Sequence, residues 1–243
     1  MRLTALAALA ASTLVGCAAN LGNSLDSDDV DAADERPIGP AHGVEGELAE
    51  YEVKLRGIAV GRIQVAVGNR GVYDGRSAVV VRSRAVGAGL ANVLGEFTWE
   101  LTTTVDIDAG CAVEEDEDIA IEVATKREHE HRTRKFTLEA CRQNMHTSAG
   151  ALRGWRSRPG AQASLQVSFD DRPMPITFAD AARETIGTVL GSLPAVRYDG
   201  LLRNVHSFSA WLSNDEARVP LLLRTGSKLG TVELELVSYR ADG

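Results

Sequence analysis

Phe97-Thr98-Trp99-Glu100-Leu101-Thr102-Thr103-Thr104-Val105-Asp106-Ile107 is the stretch, at residues 97–107, that decides the fold. Apolar or β-branched side chains occupy every odd position. Because successive side chains of a β-strand point to opposite faces, this period of two predicts one long strand with a buried face. The even positions hold threonine, glutamate and aspartate, which suit the opposite face.

The same alternation recurs along the chain and predicts about ten strands. Apolar and charged side chains alternate over residues 51–55, and the glycine turn at 57–61 leads to a second run at 63–67, which together predict a hairpin. Further strands are predicted at residues 78–81, 119–124, 134–140, 165–169, 174–178, 208–212, 219–223 and 232–239. Turn-forming residues such as Asp74-Gly75 separate most of these runs.

Helix is predicted in at most one or two short segments. Residues 149–155 suit a short helix that ends near Gly154. Residues 179–190 have helix-like apolar spacing, but threonines and glycines weaken a helix there, so a strand and loop are an equal alternative. The predicted fold class is all-β: a single domain of mostly antiparallel strands that forms a strongly curved sheet or a (half-)barrel.

The N-terminus has the layout of a secretory signal. A basic Arg2 precedes an apolar stretch at residues 3–15, which is shorter than the roughly 20 residues of a membrane-spanning helix. The ending LVGC, at residues 14–17, resembles the lipobox of bacterial lipoproteins. Residues 1–16 are therefore expected to be a lipoprotein signal peptide and Cys17 to be lipidated. An ordinary signal peptide that contains a cysteine is the less favoured alternative.

A tether is expected to follow the anchor. Residues 17–44 have an acidic run and few large apolar side chains, so a disordered, solvated linker is favoured over a recognition segment. Ala18 and Ala19 stand where an acidic residue would be typical of inner-membrane retention, which favours attachment to the outer membrane, on its periplasmic or exposed side. The β-rich domain is expected at residues 45–240.

Charge and cysteine content restrict the partners and the compartment. The formal net charge is −8 and no polybasic stripe is present, so nucleic acid is not an expected partner. Disulfides persist outside the cytoplasm, and Cys111 and Cys141 are predicted to form a structural bridge. Two free buried thiols, or a cysteine-based catalytic site, are less favoured alternatives.

No motif predicts catalysis or a cofactor. The best metal candidate is His129-Glu130-His131, but its mixed-charge surroundings are typical of an exposed hairpin tip and no further ligand is evident, so no metal is expected. Serine-hydrolase and phosphate-loop motifs are absent from the sequence. Glu96, Glu100 and Asp106 share one face by spacing, which keeps open a carboxylate-dependent hydrolase acting on envelope polymers.

Five residues are candidates for ligand binding: Trp99, Trp155, Trp211, Arg153 and Arg156. Tryptophan offers a large contact area to sugars or acyl chains. Trp99 is in phase with apolar neighbours, which favours core packing, whereas Trp211 is out of phase and is predicted on the opposite face. The arginines beside Trp155 would suit an anionic lipid or polysaccharide, although a plain surface cluster is the simpler interpretation.

Four segments point to a known family. They are the opening strand and glycine turn at residues 50–62 (EYEVKLRGIAVGR), FTWE at 97–100 with Val105-Asp106, VPLLLR at 219–224, and the final strand GTVELELVSY at 230–239. Through these segments the chain resembles the bacterial envelope family called domain of unknown function 3108. The resemblance covers most of residues 46–240. The helical leucine-arginine stretch of many members has its nearest counterpart at residues 148–153. The resemblance implies a periplasm-facing β-rich domain, often lipidated, without established catalytic residues.

The resulting hypothesis is an outer-membrane-anchored periplasmic lipoprotein that is not an enzyme. It would bind an amphipathic ligand, either a lipid or an envelope glycan, or a partner protein during cell-envelope assembly. The alternatives are the hydrolase above and a purely structural envelope protein. An apolar cavity in the folded domain, and the groups at its mouth, would distinguish these functions.

Overall fold

The structure, a computed structural model, describes residues 43–89, 95–123, 126–137, 141, 143–169, 172–202 and 206–241. Within these residues the chain forms thirteen strands and a helix, α1 (Met145–Gly154). The strands are β1 (Leu48–Leu55), β2 (Ile58–Val67), β3 (Gly71–Tyr73), β4 (Arg76–Gly87), β5 (Glu96–Asp106), β6 (Cys111–Val123), β7 (Lys126–Lys135), β8 (Gln162–Phe169), β9 (Arg172–Thr188), β10 (Gly191–Leu202), β11 (His206–Ser213), β12 (Pro220–Ser227) and β13 (Gly230–Arg240). The all-β prediction is confirmed.

All the strands belong to one antiparallel sheet. Neighbouring strands follow the order β7-β6-β5-β4-β2-β1-β13-β12-β11-β10-β9-β8, and β3 pairs with β4 beside this path. The first strand pairs with the last, so the domain begins and ends in the middle of the sheet. Strands β7 and β8 are its two ends and are not paired with each other in the described part of the chain. The sheet is therefore open rather than a closed barrel.

Bulges bend this long sheet around one face. The register shifts in β1, at β5–β6, at β9–β10 and at β11–β12. Such bulges bend a strand and increase its twist. The odd residues of β4 and β5 lie on the inner, concave face, where Ile63, Ala85, Trp99 and Ile119 form one cross-strand row. The predicted buried face of residues 97–105 is thus the inner face of the sheet.

The helix α1 lies on this concave face. Asn144 caps its N-terminus, since the side chains of Asn144 and Thr147 each accept a hydrogen bond from the other's backbone amide. The helix begins four residues before the predicted start, and it ends at Gly154 as predicted. Within the described segments, no helix combines the length and apolarity needed to cross a membrane.

Some strands differ from the predictions. The stretch at 179–190 is strand through Thr188 rather than helix, and β10 was not predicted. The strand predicted at 134–140 is displaced, because β7 ends at Lys135, and residues 138–140 lie outside the described residues. Cys17, the expected signal peptide and nearly all of the expected tether lie outside them too.

Candidate functional site: an apolar cavity beneath the helix

A cavity of about 290 Å³ lies between α1 and the concave face of the sheet. Ligand pockets typically have volumes of roughly 300–1,000 Å³, so this one is about as large as the smallest of them. Its walls are mainly apolar side chains from distant strands, including Val65, Leu165, Ile176, Phe208, Leu223 and Leu234. These six side chains are only partly buried, because each packs against a core cluster on one side and borders the cavity on the other.

One stripe of α1 forms the opposite wall. Met145, Ser148, Ala149 and Leu152 line the cavity with the i, i+3, i+4, i+7 spacing of one helix face. Ala149 is exposed, and its small side chain leaves the space open. The helix therefore presents an apolar surface to an apolar sheet across a gap.

A buried ion pair closes one side of the cavity. The Arg153 guanidinium donates two hydrogen bonds to the Glu47 carboxylate, at 2.6 and 2.7 Å, and also donates to the carbonyl of Ala217 at 2.9 Å. Burial acts to lower the pKa of Arg153, but hydrogen bonds and the charge of Glu47 outweigh it and raise that pKa. Burial also raises the pKa of the neighbouring Tyr51. The pair therefore presents no net charge to the cavity.

A buried histidine holds the N-terminal half of α1 to the sheet. His146 Nε2 lies 2.7 Å from the Ser83 hydroxyl and its Nδ1 lies 2.8 Å from the Thr103 hydroxyl. Asn144 donates to Thr103 and to the Glu115 carboxylate. Burial lowers the pKa of His146 to about 3, so the imidazole is neutral and a weak base. Ser83 has no exposed surface, so this network positions the helix rather than supplying an accessible nucleophile.

The predicted ligand-binding residues are distributed over the molecule. Trp99, Trp155 and Trp211 are all buried, with 2%, 1% and 7% exposure, and none of them lines the cavity. Arg153 does line it, and the exposed Arg156 follows at the end of α1. Of the five residues, only Arg153 lines the cavity, while Trp99 and Trp211 belong to one buried core cluster and Trp155 to another. A ligand role for the five residues stays a prediction.

The other predicted candidates lie on the outside of the sheet or at the end of a strand. His129 is exposed on β7, 2.8 Å from Asp118. Among the described residues, no group of three or more His, Cys, Asp or Glu side chains is placed to hold a metal. Glu100 pairs with Arg82 and Arg84 on the outer face. Asp106 is buried and accepts a hydrogen bond from the Ala109 amide.

The predicted disulfide is present. Cys111, at the start of β6, is bonded to Cys141, three residues before the N-cap of α1, with a Cα–Cα distance of 5.1 Å. It therefore fixes the segment that leads into the helix.

Sequence reasoning missed Glu47, Ser83 and His146. Ser83 could have been found from the alternation of its strand. It lies in phase with the apolar residues, which predicts a polar side chain on the buried face. The spacing of Asn144 and Thr147, which is that of a capping box, would have located the start of α1.

Three solved structures are similar to this chain. A protein of Bacteroides fragilis NCTC 9343, described as exported and as having a YmcC-like fold, has 9% identity and a TM-score of 0.40, with 82% of this chain and 99% of that chain covered. A beta-barrel-like protein of the domain of unknown function DUF1849 from Brucella abortus has 13% identity, a TM-score of 0.42, and 83% and 100% coverage. A protein of Parabacteroides distasonis ATCC 8503, described as a lipoprotein, has 9% identity, a TM-score of 0.39, and 84% and 99% coverage.

Comparison of the sequence with family models assigns the chain to a family. No curated protein matches the chain significantly. The family model described as protein of unknown function DUF3108 matches residues 50–237, which extend from β1 into β13 and include α1 and every wall of the cavity except Glu47. The chain therefore belongs to the DUF3108 family.

Proposed function

We propose that this protein is a non-enzymatic lipoprotein of the cell envelope that binds the apolar part of an amphipathic lipid between α1 and the sheet. The proposal rests on the apolar cavity. Folded proteins normally bury apolar side chains against each other, and an apolar surface left open generally marks a binding site. Here the helix and the sheet both present such a surface to the same gap.

The lining favours an acyl chain over a glycan. A sugar needs many hydrogen-bonding partners, whereas the polar groups around this cavity are largely engaged with each other. Glu47 is paired with Arg153, and His146 is paired with Ser83. An acyl chain needs only apolar area, which stabilises binding by about 25 cal/mol per Å² removed from water. The buried tryptophans are not available for stacking on a sugar.

The N-terminal sequence supports the proposed location. A lipid on Cys17, two alanines after it and an acidic tether suit a domain held at the outer membrane and facing the periplasm. At this position the domain would meet lipids or lipid-linked precursors of envelope assembly.

The binding experiment uses the purified chain and phenylnaphthylamine, an uncharged dye that fluoresces in apolar sites. We expect saturable fluorescence and displacement by palmitate. Ala149→Phe, on the cavity face of α1, should greatly reduce binding, because the ring fills the gap. Ala181→Phe, at an exposed position of β9 outside the cavity, is the matched control and should bind as the wild type does. Equal binding by both variants, or no saturable binding by the wild type, would refute the proposal.

The anchor is tested separately in cells. An alkyne analogue of palmitate should label the wild-type chain and not Cys17→Ser, and the variant should leave the membrane fraction. Labelling that persists in Cys17→Ser would contradict the lipid anchor.

A further inference from the structure

Three arginines gather where the chain leaves α1. Arg218, in the turn before β12, donates to the Tyr198 hydroxyl and, at 3.3 Å, to the carbonyl of Trp155. Arg183, on β9, donates to the carbonyl of Ser157 at 3.2 Å. Arg156 donates to the carbonyl of Glu216 at 2.9 Å. The short segment after the helix thus contributes one guanidinium group, that of Arg156, and is contacted by two more, from β9 and from the turn before β12.

The carboxylates of this region do not balance these charges. Asp180 accepts hydrogen bonds from Arg183, at 2.8 Å, and from the Ser157 hydroxyl, at 2.5 Å, and its charge also interacts with that of Arg218. Asp215 accepts from the backbone amide of Arg218, at 3.0 Å. In the part of the chain that the structure describes, neither Arg156 nor Arg218 forms an ion pair with a carboxylate. The three arginines of the cluster thus share two carboxylates, those of Asp180 and Asp215, which leaves an excess of positive charge.

Two buried donors in this cluster have no acceptor. Arg218 is 6% exposed and Trp155 is 1% exposed, and neither Arg218 Nε nor Trp155 Nε1 has a hydrogen-bond partner among the described residues. A buried donor without an acceptor has lost its hydrogen bond to water on folding and gained none in return, which destabilises the folded state. The other two tryptophans differ, because Trp99 donates to Glu117 and Trp211 donates to Glu184.

We infer that Trp155, Arg156 and Arg218 form a binding site for a phosphate-type oxyanion. An oxyanion would accept hydrogen bonds from the orphaned donors and neutralise the excess charge, as arginine clusters do for phosphate groups. The site does not depend on the cavity, although the two are adjacent: the ring of Phe178 lines the cavity and lies 5.0 Å from the ring of Trp155. The phosphate could come from a lipid headgroup or from free phosphate.

The electrostatics agree with this geometry. Burial lowers the pKa of the Arg218 guanidinium, and the positive charges of Arg156 and Arg183 lower it further. A bound anion would oppose both effects by favouring the charged form. The site reaches the surface through Arg156, which is exposed, and Arg183, whose side chain is 34% exposed.

The test follows the three indole N–H resonances of the ¹⁵N-labelled full chain, assigned with single Trp→Phe variants, during titration with inorganic phosphate. Ionic strength is held constant with sodium chloride. We expect the Trp155 resonance to move in a saturable way while those of Trp99 and Trp211 stay in place. A merely structural arginine cluster would produce no such selective shift. No movement of Trp155, or equal and unsaturated movement of all three resonances, would overturn the inference.

Arg156→Gln removes a surface arginine of the site and should weaken phosphate binding by about tenfold, the effect expected for one charge-assisted hydrogen bond. Arg158→Gln, at an exposed arginine two residues further on, is the matched control and should keep the wild-type affinity. Glycerol phosphate, a minimal headgroup, replaces phosphate in a parallel titration. Tighter binding of glycerol phosphate identifies a lipid headgroup as the source, and tighter binding of phosphate identifies the free ion. Equal affinity of both arginine variants for phosphate would contradict the assignment.

Discussion

At the scale of single residues, Glu47 and Arg153 connect parts of the molecule that are distant in sequence. Glu47 lies just before β1, and Arg153 lies in the last turn of α1. Both side chains are almost completely buried, at 2% and 8% exposure. Tyr239 of β13 donates to the same carboxylate at 3.3 Å. One ion pair thus joins the entry of the domain, its helix and its last strand.

Removing one partner of this pair should strongly destabilise the fold. Glu47→Gln leaves the Arg153 cation buried without a counter-charge, which costs about 3–5 kcal/mol. Urea unfolding followed by circular dichroism measures the free energy of unfolding. The control Glu45→Gln removes an exposed carboxylate two positions earlier and should change stability by less than about 1 kcal/mol. A similar small loss in Glu47→Gln would show that the pair is not needed.

His146 should make stability depend on pH. Its pKa is about 3 in the folded protein, against 6.5 ordinarily, so between these values the unfolded chain binds a proton that the folded chain does not. This contribution is complete above pH 6.5 and is lost as the pH falls toward 3, at about 1.4 kcal/mol per pH unit.

The measurement compares urea unfolding of the wild type and His146→Gln between about pH 4 and pH 6.5, the window in which the folded and unfolded pKa values of His146 differ. The free energy of unfolding of the variant should fall less steeply as the pH decreases. Parallel slopes for the two proteins would mean that His146 titrates alike in both states.

At the scale of elements, alternation predicted those strands whose inner residues are apolar. The strand β5 and the pair β1–β2 were predicted because each has a buried face. Strand β7 is a different case, since its sequence KREHEHRTRK contains no apolar residue and six of its ten partners on β6 are acidic. A charged edge strand protects the sheet from pairing with other chains, but it gives no hydrophobic period.

The β9–β10 hairpin was not predicted from the sequence for a different reason. Over residues 179–188 small and polar side chains lie on both faces of β9, and its spacing of Ala182 and Ile186 matched a helix by coincidence. The long antiparallel register with β10 keeps it extended, and tertiary pairing overrides local propensity. Such pairing cannot be deduced from either strand alone.

The disulfide acts on the element that follows it. Cys111 and Cys141 are separated by 30 residues, and a cross-link across that loop stabilises a fold by about 3 to 4 kcal/mol through the entropy of the unfolded chain. Replacing both cysteines with alanine should lower the free energy of unfolding by this amount. Dithiothreitol should lower it similarly in the wild type and should have no effect on the double variant. Unchanged stability of the double variant would contradict a structural role.

At the scale of the whole molecule, curvature decides whether a site exists. The sequence predicted a strongly curved sheet and an apolar face, and both are confirmed. The cavity itself could not be predicted, because its walls come from α1 and nine strands, β1, β2, β4 and β8 to β13, which are brought together only by the curvature of the sheet and by the position of α1. Alternation shows that Phe208 and Leu234 face inward, but not that they face an empty space.

The cavity should couple ligand binding to stability. A ligand that binds only the folded chain stabilises it by RT ln(1 + [L]/Kd), which is about 2.7 kcal/mol at a hundredfold excess over Kd. Palmitate at that excess, kept below its aggregation limit, should raise the free energy of urea unfolding of the full chain by this amount. Ala149→Phe should lose most of the increase because its cavity is filled, while Ala181→Phe should retain it. An equal increase in both variants would mean that palmitate binds elsewhere, and no increase in the wild type would mean that the apolar gap does not select this class of lipid.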